Sequence, residues 1–231
     1  MTIFGHIKKF ILIFLKYASL VFFSLVAIIP LVSCVITAFK PDAEYNSTNV
    51  MTPPSSWLYF ENFVSAFKKA GMGRAFINST IILIAVLILS VFIGTQLAYV
   101  LNRFKFFGNT LIRNLFLVAC QLPGVAMQIA VYEMMYKLGF INNMFGYILM
   151  TCGTDVISIY IYIQFFENID YSLDESAIMD GASYFTIFYK ILLPLLKPAI
   201  VTACILKGVG TYNEYYNANL YLQDKKRYAT V

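Results

Sequence analysis

Histidine is all but missing from this chain: His6 is the only one, and it stands near the N-terminus. With a single imidazole, neither a histidine-built metal site nor a Ser-His-Asp triad can be assembled. Charge is scarce too, at 13% of residues, against about a quarter in an ordinary soluble domain. The net charge of +5 is spread over connections, with no basic stripe and no basic patch interleaved with aromatics. Nucleic acid is therefore not an expected partner. The four cysteines, Cys34, Cys120, Cys152 and Cys204, each sit alone inside an apolar run. They read as small hydrophobes rather than disulfide partners or metal ligands. A glycine-rich loop ending in Gly-Lys-Ser/Thr is also missing, so no ATP site is expected on this chain.

What is present is apolar side chain, 60% of residues, with a mean hydropathy of +0.72. A water-soluble core of 231 residues cannot hide so much Leu, Ile, Val and Phe. The class is therefore all-α and polytopic, a handful of membrane spans joined by short loops. A first span is expected from about Tyr17 to Phe39, with Pro30 as a tolerated kink. Residues 40–78 form the longest polar connection; Pro53-Pro54 marks an irregular loop. After it, Trp57 and Tyr59 anchor a short amphipathic helix at the interface. Further spans are expected over Ile81–Leu101, Leu111–Tyr136 (broken near Gln121-Leu-Pro-Gly), Asn143–Phe166 (with Asp155 near its middle) and Leu195–Leu220. Two parts result: residues 1–77, holding the first span, loop and interfacial helix, and residues 78–231, the core. The first span and the basic 102–113 connection favour a cytoplasmic N-terminus, although the lysines and arginines summed over all loops do not.

Between the fourth and fifth spans lies Tyr171–Pro198, YSLDESAIMDGASYFTIFYKILLPLLKP. Ser172-Leu-Asp-Glu175 reads as a capping box, with Asp174 and Glu175 also favoured by the helix dipole. A helix over Leu173–Asp180 follows, then Gly181 as a left-handed C-cap, then Ser183 as the cap of a second helix. So short a helix is marginal alone in water and persists by packing or docking. Either it merely turns the chain, or it protrudes into a groove on a partner.

The pattern Glu175-Ser176-Ala177, three residues, Gly181, nine residues, Ile191-x-Leu193-Pro194 resembles the EAA loop of bacterial ABC-importer permeases. Ser176, where the family has alanine, is its one departure. Thr37-Ala-Phe-Lys40, Trp57 with Asn62-Phe63, Phe76-Ile-Asn78-Ser79, Ala98-Tyr99 with Arg103-Phe-Lys-Phe, Leu138-Gly139-Phe-Ile-Asn142 and Asp180-Gly181-Ala182-Ser183 are similar to the carbohydrate-importing branch, the maltose and multiple-sugar type. That branch usually has proline where Asp170 stands. The resemblance covers most of residues 20–231 and implies a type I importer permease in the bacterial cell membrane. Six spans are implied; five are read here, and the sixth is expected beyond YLQDKKRYATV. It also implies partners: a second permease, two cytoplasmic ATPases that carry ATP-Mg, and an extracellular solute-binding protein, with lipid around the spans. Glu175, Ser176, Ala177, Asp180, Gly181 and Ala182 are then the ATPase-coupling residues, and the chain itself is not an enzyme.

Asp155, Lys207 and Glu214 lie inside apolar runs, where a charge is costly. Lys207 and Glu214, seven apart, are expected on one helix face. Tyr212, Asn213, Tyr215, Tyr216 and Asn217 are residue types that bind sugars, through stacking rings and amides, and Tyr212, Asn213, Glu214, Tyr215 and Asn217 are the candidate pathway residues. They either line a substrate pathway or pack against the neighbouring permease. The reading is an importer permease working by alternating access. The alternatives are a permease for another solute, or an ATP-independent carrier that uses the intramembrane charges for ion coupling.

Overall fold

A computed structural model describes residues 3–122, 124–153 and 155–230, except for the side chains of residues 3–8, 120, 125, 225 and 226. All regular structure among them is helical. The chain forms two compact units, residues 1–70 and 71–231.

In the first unit, α1 (Ile3–Ala38) runs through Pro30 without a break. Its apolar side chains, Phe10, Phe22 and Phe23 among them, are exposed almost throughout, as suits a helix whose surroundings are lipid or another chain. Past its end, Lys40 is 1% exposed and donates to Thr48 Oγ1 (3.0 Å) and the Asn49 carbonyl (2.8 Å). Asn62 Nδ2 donates to the Ala38 and Lys40 carbonyls, satisfying acceptors that a helix end leaves open. Short α2 (Asp42–Ser47) and the amphipathic α3 (Glu61–Lys69) complete this unit. The short amphipathic helix expected after Pro53-Pro54 is α3, which begins past Trp57 and Tyr59, and Phe39 packs against Trp57, Phe60 and Phe63.

The second unit is built around α4 (Met72–Arg103). Ile82, Val86, Ser90, Gly94 and Ala98 recur every four residues and are all buried. Small side chains at three of those positions let other helices approach closely. A Cβ on Gly94 would stand 3.0 Å from the Tyr162 ring. Against α4 lie α7 (Met144–Gly153), α8 (Val156–Glu167) and α11 (Lys197–Tyr212). Between these in the chain come α5 (Asn109–Gln121), α6 (Gly124–Lys137), α9 (Ser172–Met179) and α10 (Tyr184–Leu195), and α12 (Tyr215–Tyr221) follows. One buried cluster joins Tyr99, Tyr162, Phe166, Ala177, Phe188 and Leu196 near the C-terminal end of α4. A second joins Ile82, Val86, Tyr147, Cys152, Ala218 and Tyr221 towards its N-terminal half.

Among the described residues, two helices are long and apolar enough to cross a membrane, Lys9–Ala38 and α4. Two bent pairs, α7 with α8 (44°) and α10 with α11 (71°), bring the number to four if each pair is one span. Five spans were expected. The difference falls at Leu111–Tyr136, which divides into α5 and α6, each too short alone. Leu122, which precedes proline, is extended (φ −73°, ψ 125°), as the residue before a proline prefers. The expected Leu195–Leu220 helix also divides: α11 ends at Tyr212 and Glu214 caps α12. Cys34 is exposed, Cys152 buried and Cys204 half-buried, all three as free thiols; the Cys120 side chain lies outside the described residues.

Candidate functional site: an exposed short helix and a charged cavity

The helix α9 begins a residue earlier than expected, and for a different reason. Tyr171 is already helical (φ −66°, ψ −21°), and its carbonyl accepts from Glu175 N–H at 3.1 Å. Ser172 therefore falls inside the first turn, and the expected capping box with Glu175 is not made. Asp170 acts in its place: its carboxylate accepts from Ser172 N–H at 2.9 Å. Hydrogen bonds from the Ser172 backbone and then its hydroxyl hold the Asp170 carboxyl below the ordinary range. The residue that departs from the resembled branch is thus the one that caps the helix.

At the other end, Gly181 has φ +80°, the left-handed geometry expected of it. Its N–H donates to Ile178 O (2.9 Å), and Ala182 N–H donates to Ala177 O (2.9 Å). These are the two bonds of a Schellman closure. Ser183 Oγ then accepts from Thr186 N–H (3.2 Å) and starts α10 as expected. Within α10 the turns widen into a π-helix over Ile187–Leu192. That π stretch lies ahead of Pro194, which has no N–H to donate.

Only Asp174 and Ala177 of α9 are buried. Glu175, Ser176, Asp180 and Gly181 face outward, Ala182 is half-buried, and Met179 is 87% exposed. Asp174 pairs with Arg103, the last residue of α4, at 3.1 Å. Burial raises the Asp174 carboxyl, and Arg103 draws it part of the way back. Composition and dipole arguments gave no hint of this pair, because its partners are far apart in sequence.

A cavity of about 320 Å³ opens among α7, α8, α11 and α12, lined by Thr151, Asp155, Ser158, Lys207, Thr211 and Glu214 among others. Lys207 Nζ donates to Thr151 O at 2.8 Å and stands 4.0 Å from Asp155 Oδ1. Asp155 Oδ2 is buried without a hydrogen-bond partner. Glu214 Oε1 accepts from Asn217 N–H (3.0 Å), and Gln128 Nε2 donates to Asn217 Oδ1 (3.0 Å). Lys207 and Glu214 thus share the cavity although the helix between them is interrupted. Of the five expected pathway residues, Glu214 and Asn217 line this cavity. Tyr212 borders a small neighbouring recess, and Asn213 and Tyr215 are exposed. Sequence reading missed Thr151, Ser158 and Thr211; the first two flank Asp155 at near-helical spacing, the signal that was there to find.

Residues 88–218, more than half of the chain, match the family described as binding-protein-dependent transport system inner membrane component. The chain is 28% identical over 202 residues to the diacetylchitobiose uptake system permease protein NgcG of Streptomyces coelicolor, covering 87% of this chain and 66% of that one. It is 33% identical over 206 residues to the probable ABC transporter permease protein YurM of Bacillus subtilis, covering 85% and 65%. It is 31% identical to the probable starch degradation products transport system permease protein AmyC of Thermoanaerobacterium thermosulfurigenes, covering 91% and 74%. The chain thus spans about two thirds of the length of the first two. Its fold is similar to a chain in the crystal structure of a bacterial ABC transporter involved in the import of the acidic polysaccharide alginate. The TM-score is 0.77 at 23% identity, over 96% of this chain and 78% of that one.

Proposed function

Given that this chain belongs to the family of binding-protein-dependent transport system inner membrane components, we propose that it is a permease subunit that admits a saccharide through the bacterial cell membrane by alternating access. In this reading it pairs with a second permease, two cytoplasmic ATPases supply the energy from ATP-Mg, and an extracellular binding protein delivers the solute. The N-terminus and α9 lie on the cytoplasmic side, and α5 with α6 contributes a further crossing. The saccharide assignment draws on the names of the relatives, and on a cavity whose carboxylates, hydroxyls and amide suit sugar hydroxyl groups.

One observation carries the reading. The helix α9 is capped at both ends, held to its unit by two buried side chains, and exposed along the rest of its surface. A free-standing eight-residue helix is too short to be stable alone, so such a surface suits a groove on a partner. Glu175, Ser176, Asp180 and Gly181 are the residues presented to the ATPase. The chain does no bond-breaking chemistry; it stabilises inward- and outward-open states differently.

The test is purification of the complex through a tag on this chain and reconstitution in proteoliposomes. ATP hydrolysis that rises with a saccharide-loaded binding protein, and is uncoupled by Glu175→Lys, supports the reading. A chain that copurifies with no ATPase refutes it. The ATP-independent carrier draws on Asp155, Lys207 and Glu214 in one cavity; saccharide accumulation driven by an ion gradient without ATP decides for it.

A further inference from the structure

Arg103 gathers more of the exposed-helix region than any role given to it so far. Its Nη2 donates to the Ile169 carbonyl (2.9 Å), in the linker between α8 and α9. The same atom stands 3.1 Å from Asp174 Oδ2 on α9, with side chains 8% and 4% exposed. Its Nη1 donates to Asn102 Oδ1 (3.3 Å), and its guanidinium carbon lies 5.5 Å from the centre of the Tyr171 ring. One side chain at the end of α4 therefore holds the linker, the first residue ahead of α9, and α9 itself.

The ion pair is incompletely made. Arg103 Nε and Asp174 Oδ2 are both buried and neither has a hydrogen-bond partner. The 3.1 Å contact is ionic without hydrogen-bond alignment, the aligned Nη2 bond going to Ile169 O. Guanidinium takes a carboxylate best as a two-pronged fork. Here a spare donor and a spare acceptor belong to the two partners of one buried contact, so a shift of α9 against α4 that turns Nε and Nη2 onto the two carboxylate oxygens makes the fork. Buried polar atoms left unmade in one arrangement are costly, and a fixed strut has no reason to leave one on each of its two partners.

We propose that Arg103 and Asp174 are positioning residues that form a movable joint: displacement of α9 closes the guanidinium–carboxylate fork and so reaches the end of α4. The joint rests on the proposed function, because the displacement comes from an ATPase bound at α9.

Hydrogen exchange of the purified complex, with and without Mg–AMP-PNP, tests it without any knowledge of the solute. In the wild-type complex both residues 168–182 and residues 99–106 change their exchange on nucleotide addition, by about tenfold. Arg103→Lys keeps the charge and the contact with Asp174 but cannot form a fork. In that variant the 168–182 response persists and the 99–106 response falls at least fivefold, with the complex still assembled. A merely structural ion pair gives the same response in the lysine variant as in wild type, and that result overturns the joint. So does a wild-type complex in which 168–182 responds and 99–106 does not. If 168–182 fails to respond in wild type, or no ATPase accompanies the chain, the proposed function falls first. Should Arg103→Lys not assemble, Asp174→Glu keeps both charge and fork chemistry and must retain the 99–106 response; its loss overturns the joint.

Discussion

Replacing Gly181 by alanine adds one methyl group at a position with φ +80°, where a Cβ meets no atom within 4 Å. Steric contact therefore contributes nothing, and the cost is that of holding an L-residue in the left-handed region, about 1–2 kcal/mol. The Schellman closure depends on that geometry through the Gly181 and Ala182 N–H groups. A loss of about 1–2 kcal/mol lowers the population of the closed turn by a factor of about 5–30. Because α9 has so little else to hold it, the whole segment feels the change. The assay is amide exchange of residues 178–184 in the purified chain, where local opening is read directly. Protection falls about 5–30-fold in Gly181→Ala, further in Gly181→Val because β-branching is worse at positive φ, and less in Gly181→Asn, which tolerates this region. The order Asn, Ala, Val is the signature of backbone strain. Equal protection in all four chains refutes the reasoning, as does a loss that follows side-chain volume with asparagine worse than alanine.

Three further outcomes follow from the same geometry. Gly94→Leu forces the Tyr162 ring, which is 1% exposed, away from α4; overpacking of this kind costs about 1–3 kcal/mol, read as a lower thermal midpoint in detergent, whereas Ser90→Ala stays near wild type. Lys207→Met removes a charge-assisted bond to Thr151 O and leaves Asp155 without its cation, at about 1.5–3 kcal/mol; adding Asp155→Asn restores part of the lost midpoint. The Asp170 cap is pH-dependent: its folded-state pKa is depressed below 3.8, so its contribution is present above the unfolded value and is lost as pH falls through the folded one. Exchange of the Ser172 amide, corrected for its intrinsic rate, is steady from neutrality down to about pH 4 and rises below it; Asp170→Asn removes that step.

Where the sequence was legible, local chemistry determined the outcome. Gly181 and Ser183 do what their residue types do at helix ends, because a left-handed turn and an N-cap depend on neighbours within four residues. Ser172-Leu-Asp-Glu175 also looked local and failed, since an acidic residue two positions upstream of Ser172 competes for the same N–H and wins. The apolar runs divide into shorter helices for a related reason. The break read near Gln121-Leu-Pro-Gly falls where Leu122 takes the extended backbone favoured ahead of proline, but the fifth run reads through Asn213, where a carboxylate cap at Glu214 starts a new helix. The Arg103–Asp174 pair and the approach of Asp155 to Lys207 were out of reach, because tertiary packing alone brings such distant positions together. Charge scarcity was the usable signal: in a chain this apolar, each buried charge needs a partner, and Asp155, Lys207, Arg103 and Asp174 supply one another.

The exposed helix and the charged cavity are linked by one packed element. Asp155 precedes the first residue of α8 and the Asn168–Tyr171 linker follows its last, so α8, at twelve residues, separates the two by about 18 Å at 1.5 Å per residue. Ile159, Tyr162, Ile163 and Phe166 are all buried, and Tyr162 lies over Gly94 of α4. Close-packed elements shift as bodies rather than deform continuously. On the proposed function, a displacement at α9 reaches the cavity along α8 through the linker, and Arg103 passes it to α4, which packs against α8. The two elements meet where Gly94 lets Tyr162 approach, so on the proposed function substitutions there alter stability and coupling together, whereas substitutions at Gly181, where an added Cβ meets no atom within 4 Å, alter coupling without disturbing the packed core.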